Sequence, residues 1–173
     1  IMNLSGTINR RIDSGWSAQW SPDGTQIAYV KDNSLWVFDV QAEKSRVVLA
    51  RGSHPYHQIY GNFAWSPDSR RLVAGGKLKD RQQIAVIHLD KMSEIQPCFT
   101  TQDPMDADFA WSPDGGRVLL NKFSPEHQRS LIFQFDPQRP SPPRIVPEAQ
   151  TAMSWTSVCL SPDGQWMVLA TPD

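Results

Sequence analysis

Two histidines lie three residues apart, and they are the first residues whose types and spacing could do chemistry. His54 and His57 flank Pro55 and Tyr56. Imidazole nitrogens are common metal ligands, but no third ligand follows at a recognisable spacing. The proline also disfavours the helix that would bring both rings to one face. We therefore expect a solvated or stacking loop here and no metal site.

A second group of candidate ligands is acidic. Asp103, Asp106 and Asp108 lie close together in the sequence. A calcium loop would need a denser set of oxygen ligands around a glycine turn. The pattern favours a polar connecting loop, and we predict no metal and no cofactor.

No catalytic residue is predicted. Gly15-Trp16-Ser17-Ala18-Gln19 lacks the second glycine of a nucleophile elbow, and no Ser/His/Asp set has the required context. Neither a phosphate-cradling glycine loop nor a dinucleotide fingerprint is present. These observations predict that the chain is not an enzyme by itself.

Charge and hydropathy exclude two kinds of partner. The formal net charge is −1, from 17 basic and 18 acidic residues. This balance argues against a chain whose main role is to bind nucleic acid. No apolar run reaches the length of about 18 residues that a membrane-spanning helix needs, so we expect no membrane insertion by this segment.

The dominant feature is a short segment that recurs four times. Its serines are 45, 46 and 49 residues apart, which is the length of one four-stranded propeller blade. Proline presets φ, serine and aspartate can bond nearby amides, and glycine accepts positive φ, so the unit predicts a tight hairpin turn. The four copies are Trp20–Gly24, Trp65–Ser69, Trp111–Gly115 and Leu160–Gly164.

Strand patterns surround each turn. Apolar residues alternate before it, a β-rich run follows it, and a third strand ending in aspartate and a weaker fourth strand come next. We predict one all-β propeller domain over 1–173, with repeats at about 13–52, 58–100, 105–148 and 153–173. The segment 7–12 is predicted to be an outer strand of a preceding or closing blade. The fourth repeat stops after two strands, so we expect a partial propeller or a fragment of a larger ring.

Local propensity and the repeat disagree in two places. Residues 25–51 and 77–96 lack proline and glycine and could suit a helix. The corresponding part of the third repeat contains Pro137, Pro140, Pro142 and Pro143, which a long helix would not tolerate. We therefore predict strands in both stretches.

The positions that recur in the four repeats are expected to be structural. The tryptophans should lie in the core between blades, while open blade ends leave apolar faces that can drive self-association. The predicted structural residues are Trp20, Asp23, Trp65, Asp68, Trp111, Asp114 and Asp163.

The turn, its period and the strand after it resemble the TolB-type, WD-repeat-like propeller family over residues 7–170. Ser69 in place of glycine and Leu160 in place of tryptophan depart from the pattern. The resemblance implies a protein-interaction or ligand-sensing module, either a periplasmic scaffold or the sensor part of a membrane-anchored transcription regulator. It also implies a periplasmic or extracytoplasmic location. The alternative is the substrate-gating propeller of a prolyl-oligopeptidase-like serine peptidase whose catalytic domain is not in this chain.

Loop length predicts where a partner binds. The second and third repeats carry six more residues than the first between the turn serine and the aspartate after the third strand, and we expect them in the loop between the second and third strands. In a propeller these loops share one face, here called the rim, with the connections between blades. Insertions on one face of a repeat protein often mark its binding side. We expect this rim to contact a protein or peptide through His54, Tyr56, His57, Lys79, Arg81, Glu126 and His127.

Overall fold

The computed structural model describes residues 1, 5, 10–90, 94–102, 108–124, 126–150 and 157–170, and these residues contain strands, turns and loops without a helix. The strands are β1 (Trp16–Trp20), β2 (Gln26–Lys31), β3 (Ser34–Asp39), β4 (Lys44–Leu49), β5 (Gln58–Trp65), β6 (Arg71–Lys77), β7 (Gln82–His88), β8 (Glu94–Thr101), β9 (Asp108–Trp111), β10 (Val118–Ser124), β11 (Arg129–Phe135), β12 (Arg144–Gln150), β13 (Ser157–Leu160) and β14 (Met167–Ala170).

The strands form antiparallel sheets in chain order. Blade 1 consists of β1–β4, blade 2 of β5–β8, blade 3 of β9–β12, and blade 4 of β13 and β14. This arrangement confirms the all-β propeller architecture with an incomplete last blade. It also confirms strands in the described parts of 25–51 and 77–96. Of the outer strand predicted over 7–12, residues 7–9 lie outside the described part, and residues 10–12 are not assigned to a strand.

The repeated turn is held by the same hydrogen bonds each time. Ser21 Oγ donates to Asp23 Oδ1 over 2.6 Å and accepts from the backbone N–H of Gln26 over 2.9 Å. The serine and aspartate of the other three turns make the equivalent bond over 2.5 Å. The serine bond, as the largest influence, lowers the pKa of Asp23, Asp114 and Asp163, so these carboxylates stay ionised.

The glycine position of the turn requires a left-handed backbone. Gly24 has φ 72°, and Ser69 adopts φ 58° in the second turn although it is not glycine. Ser69 Oγ accepts a hydrogen bond over 3.1 Å from the backbone N–H of Asp23. The departure from glycine thus gains a bond between blades 1 and 2.

The tryptophans bind neighbouring blades together. Trp65 Nε1–H donates to the carbonyl of Gln19 over 3.1 Å, and Trp111 Nε1–H donates to the carbonyl of Ala64 over 3.1 Å. Both indole rings are buried. The Arg71 guanidinium lies 4.9 Å from the centre of the Trp111 ring, where a cation is attracted to the π face.

The apolar core lies between blades because each sheet is apolar on both faces. Along β2, Ala28 and Val30 pack toward blade 2, while Ile27 and Tyr29 belong to a cluster on the opposite face. The core between blades 1 and 2 includes Leu35, Val37, Ile59, Phe63, Leu72 and Ala74, and the core between blades 2 and 3 includes Val73, Ile84, Val86, Val118 and Leu120. Period-2 alternation therefore serves two cores at once.

Trp20 departs from the predicted core position. Its side chain is 51% exposed, against 7% for Trp65 and Trp111. The face of blade 1 that carries Trp20 is not packed against another described blade; Ile12 packs against part of that face, near Ile27, Tyr29 and Phe38. The same motif is thus buried or exposed according to whether a blade lies in front of it.

Within the described residues, no helix has the length and apolar character that crossing a membrane requires.

The two environments of the repeated tryptophan give a direct test. We expect Trp111→Ala to lower the free energy of unfolding by about 3–5 kcal/mol, because it opens a cavity between blades and removes an indole hydrogen bond. Trp20→Ala, the matched control, should cost about 1 kcal/mol or less. Urea unfolding followed by circular dichroism measures both values, and equal losses for the two variants would contradict this account of the core.

Candidate functional site

The rim face is organised by a tight hairpin loop. Asp32 and Asn33 join β2 to β3, and both have positive φ, 51° and 56°, as a two-residue type I′ turn requires. Asn33 Nδ2 donates to the carbonyl of His57 over 3.0 Å, and Asn33 Oδ1 accepts from the N–H of Ile59 over 2.7 Å. The β2–β3 loop and the connection between blades 1 and 2 therefore meet on one face, as predicted.

His54 and Tyr56 are placed differently from the prediction. Both side chains are buried, at 9% and 7% exposure. His54 Nδ1 accepts from the N–H of Tyr56 over 3.2 Å, so its Nε2 carries the proton and donates to the carbonyl of Asn33 over 3.3 Å. Because their polar atoms are used inside the junction, these residues shape the rim and do not present a surface to a partner.

The Tyr56 side chain is buried and closely packed against blade 2. Its hydroxyl donates to Gln83 Oε1 over 2.9 Å, and burial raises its pKa to about 12. A Cβ on Gly76 would lie 2.5 Å from the ring, so glycine at that position of β6 is what admits the ring. Tyr56 thus ties the connection before blade 2 to the sheet of blade 2.

The remaining predicted rim residues are exposed. His57 lies beside the junction, Lys79 and Arg81 lie in the β6–β7 loop, and Glu126 and His127 lie in the β10–β11 loop. Arg81 contacts the Asp80 carboxylate over 3.4 Å, and Ser124 Oγ lies 2.9 Å from His127 Nδ1. Together these side chains place positive and negative charges and two imidazole rings on one accessible edge.

The extra residues are distributed differently from the prediction. The loops at 78–81 and 125–128 have four residues, against two at 32–33. The other additional residues lengthen the paired strands or follow the third strand. A residue added to both strands of an antiparallel hairpin adds a facing pair to the ladder, so part of the insertion forms sheet and not loop.

A polar channel between the inner strands escaped the sequence analysis. It has a volume of about 360 Å³, and its polar lining residues include Ser17, Gln19, Asn62 and Asp108. Asp108 begins β9, at the end of the strand that meets the rim face, whereas Gln19 and Ala64 directly precede the turn tryptophans at the other ends of β1 and β5. The channel therefore lies among the inner strands and reaches the rim face at Asp108.

Backbone irregularities create this channel. The β1–β2 pairing shifts register between Trp16 and Gln19, where Ser17 has φ 54°, and the β5–β6 pairing shifts between Ile59 and Phe63. Gly61 lies in the second shift, and a Cβ there would lie 2.0 Å from the Trp16 ring. An isolated glycine inside a strand pattern is the signal that could have revealed the bulge.

The channel is suited to binding by hydrogen bonds. Among its described lining residues, Asp108 is the ionisable one, and no histidine or cysteine lines it. The described lining residues therefore offer hydroxyl, amide and carboxylate groups.

The candidate metal ligands are not brought together in the part of the chain that the structure describes. No group of three His, Cys, Asp or Glu side chains there could hold an ion. Asp103 and Asp106 lie outside the described residues, and Asp108 lies on β9.

Comparison with known proteins gives structural matches alone. No protein-family model and no curated protein sequence matches the chain. TolB from Acinetobacter baumannii superposes with a TM-score of 0.74 at 18% identity, over 97% of this chain and 41% of that one. The chain has a TolB-like β-propeller fold.

Two peptidase propellers resemble this TolB-like propeller as well. Pyrococcus horikoshii acylaminoacyl peptidase matches with a TM-score of 0.67 at 18% identity, over 97% of this chain and 30% of that one. The β-propeller domain of the Trilobed protease from Pyrococcus furiosus matches with a TM-score of 0.59 at 19% identity, over 84% and 47%. The chain thus spans less than half the length of each of these structures.

The rim junction depends on the Asn33 side chain, and glycine there isolates its contribution. Asn33→Gly keeps the left-handed backbone but removes the bonds to His57 and Ile59, so we expect a loss of about 1–3 kcal/mol in the free energy of unfolding. Asp32→Gly is the matched control, since its carboxylate makes no bond to the next blade among the described residues. Urea unfolding should show little change in the free energy of unfolding for the control. An Asn33→Gly variant as stable as the unmodified chain would contradict this role.

Proposed function

We propose that this TolB-like propeller is a non-enzymatic module that binds a protein or peptide on its rim face. The single observation that carries the proposal is that charged and imidazole side chains of exposed loops lie on one face, at the end of β9 where Asp108 borders the polar channel. The polar side chains of Asn62 and Gln19 in the channel suit the hydrogen-bonding groups of an extended peptide, while the loops supply charged contacts.

The wider role proposed is that of a TolB-like scaffold or of the sensor part of a membrane-anchored regulator, in a periplasmic or extracytoplasmic location. The likeness to the Acinetobacter TolB and to a putative TolB from Agrobacterium tumefaciens, which has a TM-score of 0.67, supports this role. A winged helix and a membrane span encoded upstream in the full reading frame would favour the sensor over the scaffold.

A second candidate is the substrate-gating propeller of a serine peptidase. The likeness to acylaminoacyl peptidase and to the Trilobed protease propeller supports it. In that case the channel would admit substrate to a separate catalytic domain. A hydrolase domain encoded downstream in the same reading frame would favour this candidate over the binding module.

The binding face can be tested by removing its exposed cationic groups. We expect Lys79→Ala, Arg81→Ala and His127→Ala together to weaken binding of a partner, first identified by cross-linking and then purified, at least about tenfold. The loops are exposed, so the circular dichroism spectrum and unfolding midpoint should stay unchanged. Isothermal titration calorimetry measures the dissociation constants.

The control for this experiment is a triple variant away from the rim. Lys44→Ala, Arg46→Ala and Arg70→Ala alter exposed basic residues outside the rim loops. The control should bind like the unmodified chain. Equal affinity of the rim variant and the unmodified chain would overturn the proposal.

Self-association through the open blade faces is also proposed. Trp20 on blade 1 and Val168 on blade 4 are 51% and 63% exposed, and both lie on faces without a described neighbouring blade. We expect light scattering at rising concentration to give a mass above the 19.5 kDa of the single chain, and Trp20→Glu with Val168→Glu to return it to that value. Ile145→Glu alters an exposed apolar residue on β12 of blade 3, which has blades on both sides, and should give the same mass as the unmodified chain. A constant 19.5 kDa for the unmodified chain would contradict the proposal.

A further inference from the structure

The long turn of blade 3 sets it apart from the equivalent turn of blade 1. Residues 136–143 join β11 to β12, whereas residues 40–43 join β3 to β4. The longer turn carries the prolines at 137, 140, 142 and 143. Proline restricts the unbound chain, so a ligand that binds such a turn pays less conformational entropy than at a flexible loop.

Three arginines from separate positions of blade 3 line one pocket beside this turn. The pocket has a volume of about 380 Å³ and is lined by Arg117, Arg139 and Arg144. Arg117 precedes β10, and Arg144 begins β12 opposite Gln134 of β11. The sheet therefore fixes the backbone of two arginines, while the proline-rich turn carries the third.

The carboxylate at the pocket is largely occupied by the turn itself. Asp136 Oδ1 accepts from the N–H of Gln138 over 2.8 Å, and its Oδ2 lies 4.0 Å from Arg139 Nε. Arg139 is 87% exposed, so this contact is weak. Among the described residues no carboxylate lies within ion-pair distance of Arg117 or Arg144.

The local charge remains positive when the nearest acidic groups are included. Arg117 also acts on Asp114, whose pKa is lowered mainly by the Ser112 hydrogen bond and further by this arginine. The pocket lining thus has three arginines against one carboxylate, Asp136, with Asp114 near Arg117 outside the lining, in a chain whose net charge is −1. Guanidinium donors that lack a carboxylate partner are available to an oxyanion.

The pocket also has an apolar wall. The exposed Pro142 lines it beside the polar Gln134 and Ser141, whereas Phe135 borders it with a side chain that is 4% exposed and belongs to the core between blades 2 and 3. A bare oxyanion would leave the Pro142 ring in contact with water, whereas a ligand with an apolar body would cover it.

We propose that this pocket binds a phosphomonoester carried on an aromatic or similar apolar body. The guanidinium groups of Arg117, Arg139 and Arg144 bind the phosphate oxygens in forked pairs, and the apolar body lies against Pro142. The site is a single compact pocket on blade 3 and is independent of the rim face.

Phenyl phosphate is the probe that tests this site. We expect saturable binding in a nuclear magnetic resonance titration of the full chain, weakened at least about tenfold by Arg139→Gln and by Arg144→Gln. Affinity should also fall as salt is raised. Circular dichroism should show that the variants remain folded, since both side chains are exposed.

Arg70→Gln is the matched control, because Arg70 is an exposed arginine in the turn between β5 and β6 of blade 2 and does not line the pocket. It should bind phenyl phosphate with unchanged affinity. Phenol should not bind, and inorganic phosphate should bind more weakly than phenyl phosphate. Absence of saturable binding, or an equal loss in the Arg70→Gln and Arg144→Gln variants, would overturn the proposal; equal affinity for inorganic phosphate would refute the part played by the apolar wall.

Discussion

The burial of both faces of each sheet is the constraint on which the rest of this structure depends. A strand such as β2 directs Ala28 and Val30 to one side and Ile27 and Tyr29 to the other, so a single sheet cannot hide its apolar residues alone. Stacking the next sheet covers them, and an indole hydrogen bond fixes the offset: Trp65 reaches the carbonyl of Gln19, as Trp111 reaches that of Ala64. Since the acceptor each time immediately precedes the tryptophan of the earlier blade, the stacking geometry propagates along the chain.

This stacking separates what must stay constant from what is free to vary. The Ser-Pro-Asp turns hold one side of the molecule with the same hydrogen bonds in every blade. The opposite side carries loops of different length, and the bulged inner strands between the two sides line the channel with Ser17 and Asn62. The turn between the third and fourth strands also varies in length. The long turn of blade 3 lines a pocket, whereas the equivalent turn of blade 1 is four residues shorter. Binding surfaces can therefore differ between chains that share this fold without loss of the core.

Much of the fold was predictable because the same short turn segment, flanked by strand patterns, occurs four times in the sequence. Residues 25–51 have helix-compatible composition, yet they form β2, β3 and β4. These strands were predictable because the equivalent part of the third repeat contains four prolines, which a long helix would not tolerate. The candidate site was less predictable. His54 and Tyr56 looked like loop residues available to a partner, but Asn33, Gln83 and Gly76 draw both side chains into the blade junction. The channel was missed because the register shifts at Ser17 and Gly61 depend on how β1 pairs with β2 and β5 with β6.

The sequence by itself determined the turns, the blade period and the strand order, because each turn is stabilised by hydrogen bonds within five residues of its serine. Only the tertiary structure decided which copies of one motif are buried: Trp111 lies between blades, while the equivalent Trp20 is half exposed. It also decided that Arg117, Arg139 and Arg144 share one pocket. The physical reason is that burial and convergence are set by atoms from distant parts of the chain, which a local pattern of residue types does not specify.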